Sequence, residues 1–224
     1  MTQCGVRVHR LLDMDTAMGQ ILLPNQPDLG AIVHLTARDG RELLVRHMRA
    51  DDATLLKRMF YKLSSETRYQ RFFMPLDTIE EERLDRETQR LATIDPERET
   101  ALIAVYEEAG GVEEAVAVAR YSCLDNRENA CEGSIVIRDD YQGCGLGRQL
   151  FDLLVQVALT HGLRHMVLLT HADNGGMIAL VHGLGMPYKG RYSAGLYEMD
   201  VQLAEVARPY FPFTSPEAAL VMVG

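Results

Sequence analysis

Residues 142–148, Gln-Gly-Cys-Gly-Leu-Gly-Arg, constrain this chain more than any other segment. They follow the apolar run Ser134-Ile135-Val136-Ile137 and precede the helix-like run Gln149-Leu150-Phe151-Asp152-Leu153-Leu154. A strand, a tight glycine loop and a helix in that order make an anion site. Glycine reaches positive φ without strain and leaves no Cβ in the way of a ligand. The first turn of the helix offers N–H groups that lack intrahelical acceptors, with the helix dipole behind them. The segment reads as a cradle for phosphate or pyrophosphate.

Its spelling excludes two common phosphate loops. A P-loop needs Lys-Ser/Thr after its last glycine, and Arg148-Gln149 stands there instead. A dinucleotide fingerprint needs Gly-x-Gly-x-x-Gly, whereas the spacing is Gly143-x-Gly145-x-Gly147. A third pattern, Gln/Arg-x-x-Gly-x-Gly/Ala, is met at every fixed position by Gln142, Gly145 and Gly147. This resembles the pyrophosphate loop of the GNAT superfamily of N-acetyltransferases. Downstream, the buried-strand pattern Met166–Thr170, then Asn174-Gly175-Gly176-Met177-Ile178-Ala179-Leu180 and Gly183-Leu184-Gly185-Met186, resemble the second half of that family's cofactor site. Tyr188 to Leu203 looks like its closing hairpin. Asp39–Arg46 and Arg49–Ala53 resemble its first strand and first helix. Ser64–Phe73, Cys131-Glu132 and Arg138–Gln142 look like the Pat-type bacterial protein lysine acetyltransferases. The superfamily resemblance covers residues 37–203.

That resemblance implies an α/β (α+β) fold: a GNAT-like mixed, twisted sheet flanked by helices, with a splayed strand pair binding the acyl-CoA. The residues themselves agree in order. Asp51 or Asp52 is a plausible N-cap for a helix over Ala53–Leu63, and a second helix is expected over Ile79–Thr93. Thr100–Tyr106 and Glu114–Tyr121 read as strands around a Gly110-Gly111 turn. After the glycine loop, Leu150, Phe151, Leu154, Val157 and Ala158 share one helix face, and Gly162 ends the helix. Residues 1–36 read as an N-terminal arm, 37–203 as the acetyltransferase domain and 204–224 as a C-terminal tail. No repeats or low-complexity tracts stand out.

Composition narrows the partners. The chain has 224 residues and a net charge of −9. An acidic balance disfavours nucleic acid, which needs a basic surface. It suits a cationic acceptor mildly and a soluble surface equally well. No apolar run nears the eighteen or so residues of a membrane span, and the first residues lack a signal-peptide core. Cys4, Cys123, Cys131 and Cys144 form no C-x-x-C pair, so free thiols in a cytoplasmic setting are expected. His161, His165 and His171 match no ligand pattern, and no metal is expected. A homodimer stays open.

The resemblance also assigns roles. Backbone N–H groups of Gly143, Cys144, Gly145, Leu146, Gly147 and Arg148 would bind the pyrophosphate of acetyl-CoA, the cosubstrate, with Gln142 opening the loop. Cys144 is then a passenger thiol. The Arg148 side chain either adds charge to a phosphate or is a surface residue at the helix start. The strand Ile135-Val136-Ile137 would pair with the pantetheine arm as an added strand. Asn174 would bond the same arm while capping its helix, with Met177 beside it. A lysine amine has a pKa of about 10.4 in water, so a general base must take its proton. Glu132 is the candidate, expected to be partly buried beside Ile and Val. Its competing role is a structural carboxylate paired with an arginine such as Arg120. Many GNAT enzymes protonate the departing thiolate with a tyrosine in the helix after the Asn. The matching position is Val181, which argues against an acid from that helix; Tyr141, Tyr188, Tyr192 and Tyr197 are near in sequence and none is singled out. Either Arg68, Tyr69 and Arg71 line the acceptor channel, or Tyr69, Phe72 and Phe73 simply pack the core, which is the role expected of the phenylalanines. The activities left open are acetyl transfer to a protein lysine, acetyl transfer to a small amine, and acyl-CoA sensing without turnover.

Overall fold

The computed structural model describes residues 33–108 and 111–204. Most of the arm and nearly all of the tail lie outside the described residues, as does Cys4. Eight strands form one sheet in the order β1-β2-β3-β4-β5-β6-β8-β7. They are β1 (Val33–Thr36), β2 (Glu42–His47), β3 (Glu99–Glu108), β4 (Val112–Cys123), β5 (Ala130–Ile137), β6 (His165–His171), β7 (Tyr188–Ser193) and β8 (Leu196–Gln202). Every neighbouring pair is antiparallel except β5 and β6. Residues 33–36, placed in the arm by the sequence, are instead the edge strand, with Val33 to Thr36 opposite Val45 to Glu42. Four residues are too short to show a strand period on their own.

Helices cover both faces. On one lie α1 (Ala53–Lys62), α2 (Ser65–Phe72) and α3 (Glu81–Ala92); on the other lie α4 (Leu146–Thr160) and α5 (Gly175–Leu184). The alternation of β5 shows the split: Cys131 and Ile135 pack in the core shared with α4 and α5, while Val136 packs with α1. Each leucine fully buried in such a core contributes about 2 kcal/mol. The predicted one-sided α4 is buried on almost every side, Leu153 and Val155 included. It lies between the sheet and α5, so both its stripes face protein. Asp52 stands at the N-cap of α1 without bonding it. Its carboxylate takes the Arg46 guanidinium at 2.7 Å on both oxygens and the Arg49 N–H at 2.7 Å.

The parallel pair is short. β5 and β6 are in register only from Ala130–Gly133 against His165–Leu168. Gly133 makes that seam. A Cβ there would come within 2.5 Å of Met166 Sδ and 2.9 Å of Leu168 Cδ2, so glycine leaves room for these two buried side chains against β5. Beyond it β5 continues along β4 to Ile137, and β6 turns away along β8. The sheet opens into a wedge.

A candidate acyl-donor and acceptor site in the sheet split

The edge of β5 beyond Gly133 faces the wedge. Leu124 N–H donates to Ala130 O, and Arg138 N–H donates to Val116 O. Antiparallel ladders alternate, so the N–H and C=O groups of Ile135 and Ile137 turn away from β4, into the gap. Val136 turns its backbone to β4 and its side chain to the α1 core. Gln142 Nε2 donates to Ile137 O at 3.0 Å, which leaves the Ile135 groups and the Ile137 N–H for another partner.

The glycine loop closes the wide end of the wedge. A 3-10 turn over Asp139–Tyr141 leads into it. Arg41 lies 3.8 Å over the Tyr141 ring, with Arg138 also over that ring at 4.9 Å. Gly143 and Gly145 have φ of 73° and 85°, values that other residues adopt only with strain. Gly145 is the N-cap of α4, and Gln149 N–H is the first to bond back to it. Among the described residues, none of the N–H groups from Gly143 to Arg148 donates to a loop or cap carbonyl. Six successive donors at the head of a fifteen-residue helix form a strong anion cradle. Cys144 is buried, its thiol against Tyr141 O at 2.9 Å, and its carbonyl accepts from Arg38 N–H. The Arg148 guanidinium is held within the fold. It binds Asp152 Oδ2 at 2.7 Å and the Gly183 carbonyl, tying α4 to α5. Burial pushes the Asp152 carboxyl up, against the pull of Arg148.

Across the wedge, Asn174 caps α5, with Met177 N–H donating to its Oδ1 at 2.9 Å. Met177 packs against the core below. Val181 is 1% exposed within that core. Tyr141 lies beneath its arginines, the Tyr188 hydroxyl is 2.5 Å from His182 Nε2, and Tyr192 stacks on Tyr197.

Glu132 lies on the α2 face, beside Val167 of β6 in register. It is exposed rather than partly buried, because β5 and β6 separate just beyond it. No salt bridge or hydrogen bond engages its carboxylate among the described residues, and its rival partner is committed elsewhere. Arg120 binds Glu99 Oε2 and Leu91 O, each at 3.2 Å.

The wall above Glu132 is α2, a helix that the sequence pattern did not mark. Its eight residues, six of them polar and none buried, carry little apolar period. Tyr69 stacks on His171 at 4.4 Å, and Phe73 lies 5.0 Å from the same ring. Phe73 is 38% exposed, against the expectation of a core role, while Phe72 packs on Phe60 at 6.1 Å. Phe73 ends the helix in the left-handed region at φ 59°, which turns its side chain outward. Arg68 braces the chain, donating to Phe60 O, Tyr61 O and Leu76 O. Arg71 is half-buried nearby; burial lowers its pKa to about 10, with Arg120 adding to the drop and Glu132 opposing it.

A polar depression of about 370 Å³ is lined by Arg46, Arg49, Asp52, Arg58 and Glu113, but Arg46 is paired with Asp52 and Glu113. His161 is 2.5 Å from the Tyr121 hydroxyl and His165 is 3.2 Å from Asp200. Among the described residues, no group of three or more His, Cys, Asp or Glu could hold a metal ion, and no helix is long and apolar enough to cross a membrane.

The family model described as Acetyltransferase (GNAT) family matches residues 58–186. Acetyltransferase PA5475 of Pseudomonas aeruginosa is 34% identical over 148 residues, 66% of this chain and 76% of that protein. The GNAT domain of S. lividans PAT superposes with a TM-score of 0.66 at 24% identity, over 77% of this chain and 97% of that one. RimL, a ribosomal L7/L12 alpha-N-protein acetyltransferase in complex with coenzyme A, superposes with a TM-score of 0.59 at 14% identity, over 73% and 95%. At these identities the two structures establish a shared fold.

Proposed function

The chain belongs to the GNAT family of acetyltransferases and is an acyltransferase, and from that premise we propose that it moves the acetyl group of acetyl-CoA to a lysine side chain of a protein. The observation that carries this reading is the pairing of the six-donor cradle, Gly143 to Arg148, with the free β5 edge at Ile135 and Ile137. A pyrophosphate on the cradle and a pantetheine arm laid along that edge fit one extended acyl-CoA. Asn174 on the far side of the wedge keeps its amide nitrogen for the arm while its oxygen caps α5.

The acceptor comes from the α2 face. A protonated lysine amine is inert: Glu132 takes the ammonium proton and passes it to solvent, then takes a second proton from the nitrogen as the neutral amine attacks the thioester carbonyl. The acyl chain and acceptor bring the cover that Glu132 otherwise lacks. The tetrahedral adduct collapses to an amide and expels the CoA thiolate, which takes a proton from solvent. A thiolate leaves readily, and Val181 in place of an acid is consistent with that. Protein lysine is favoured over a small amine by the open mouth: Tyr69, Phe73 and Leu169 are each 38–40% exposed. Enclosed pockets suit small ligands, whereas an open apolar rim suits a side chain carried on a surface.

The test is thiol release from acetyl-CoA against a panel of proteins and small amines, with mass spectrometry of products. Acetylated lysine on one protein supports the reading. Turnover confined to small amines would replace it, and acetyl-CoA binding with no turnover on any acceptor would point to a sensor.

A further inference from the structure

α2 does more than line the acceptor face. Its N-terminal end is fastened to the acyl-donor side of the wedge. Asp139 Oδ2 accepts from Ser64 N–H at 2.8 Å, and Asp139 Oδ1 accepts from the Ser64 hydroxyl at 2.6 Å and the Thr67 hydroxyl at 2.7 Å. Thr67 Oγ1 in turn accepts from Gln142 Nε2 at 3.2 Å, the same amide that holds Ile137 O. The other end is fastened to the β6 side. Tyr69 stacks on His171 of β6, and Gln70 Nε2 reaches Asp173 Oδ1 at 3.5 Å, one residue before the α5 cap Asn174. An eight-residue helix thus bridges the split from the glycine loop to the α5 cap.

We propose that α2 is a strap across the split, and that Asp139, with Thr67, is the positioning pair that couples it to the donor loop. This rests on the acyl-CoA reading above. Cofactor on the cradle fixes Gln142; Gln142 fixes Thr67 and Asp139; and these fix the helix that carries Tyr69 and Phe73. Donor binding therefore stiffens the acceptor wall. The direction of each hydrogen bond supports a relay. The Thr67 hydroxyl donates to Asp139 and receives from Gln142, so each hydrogen in the chain has one acceptor. Partial burial pushes the Asp139 carboxyl up, and the Ser64 and Thr67 donors more than offset it, so it stays ionised near neutral pH.

The experiment compares wild type with Thr67→Val, Thr67→Ser and Asp139→Ala, using coenzyme A as probe. Calorimetry reports coenzyme A affinity, and hydrogen exchange reports residues 65–73. In wild type, coenzyme A should slow exchange across α2 by about tenfold, the scale of one coupled hydrogen bond. Thr67→Val and Asp139→Ala should bind coenzyme A within about threefold of wild type, yet show less than about twofold slowing at α2. Thr67→Ser keeps the hydroxyl and should restore the full response, which a merely structural role for Thr67 does not predict. Equal protection of α2 in wild type and Thr67→Val overturns the proposal. So does coenzyme A binding to wild type with no change at α2. A flat wild-type calorimetric trace would instead sink the acyl-CoA reading itself, and the strap with it. Thr67→Val keeps the test alive should Asp139→Ala fail to fold.

Discussion

Glu132 stands one residue before the seam glycine; Arg120, the partner weighed for it, is turned to Glu99 and Leu91, and Arg71 is close enough to feel its charge. A carboxylate left open at the point where two strands diverge is placed to accept a proton. Glu132→Gln keeps the shape and removes the proposed base. Its kcat should fall by about 10²–10⁴-fold, while acetyl-CoA affinity stays within about threefold. Thiol release and calorimetry on the same sample check this, and retained turnover would remove Glu132 as base. Asp52 shows the opposite kind of carboxylate. It and Arg46 are buried at 3% and 6% exposure, and Glu113 closes the group. Asp52→Ala leaves a buried guanidinium half-paired and an Arg49 N–H without acceptor. A loss of about 3 kcal/mol is expected from urea unfolding, the usual scale for breaking a buried pair. A loss below about 1 kcal/mol, the range of an exposed pair, would mean the pair is solvated.

At the scale of elements, the β5–β6 seam decides whether a site exists. Gly133 lets two strands meet for four residues and then diverge. Gly133→Ala drives a methyl into Met166 and Leu168, both fully buried. The cost should be about 2 kcal/mol, as for overpacked cores. Relief by parting of the two strands would weaken coenzyme A binding as well. A thermal melt and a calorimetric titration measure the two effects. A variant with native melting temperature and native affinity would show that the seam tolerates a wider start. α2 is the second decisive element, since it joins the two sides of the wedge through Asp139 and His171.

For the molecule as a whole, acid should unfold the chain through a set of paired carboxylates. Burial pushes Asp52 up, but Arg46 and the Arg49 N–H hold it below the ordinary range. Arg138 lowers Asp140 and Lys62 lowers Glu114, while Arg127 and His165 outweigh burial at Asp200. A carboxyl lowered in the fold stabilises it above its unfolded pKa of about 4, and that stability is lost as pH falls through the lowered value. Asp152 runs the other way, since burial raises it; its share is present at low pH and lost as pH rises through its folded value. Four lowered groups outweigh one. The urea midpoint should vary little between about pH 5 and 7 and drop below about pH 4. A midpoint unchanged at about pH 3 would contradict these pairings.

What the sequence determined by itself was local. The glycine loop was legible because its spacing dictates backbone conformation within seven residues, and Gly143 and Gly145 adopt the positive φ that spacing implies. The apolar runs that became β3, β4, β5, β6 and α4 were legible because each buries its own periodic face. The tertiary structure decided whatever depends on distant partners. β1 became a strand only because β2 offers an edge. α2 is mostly polar with no buried residue, and it is held by Asp139, His171 and Asp173, all far along the chain from it. Arg148 met a carbonyl of α5 rather than open solvent. The exposure of Glu132 follows from where β6 leaves β5. No residue near Glu132 encodes that in isolation, because a side chain's cover is a property of the elements that converge on it.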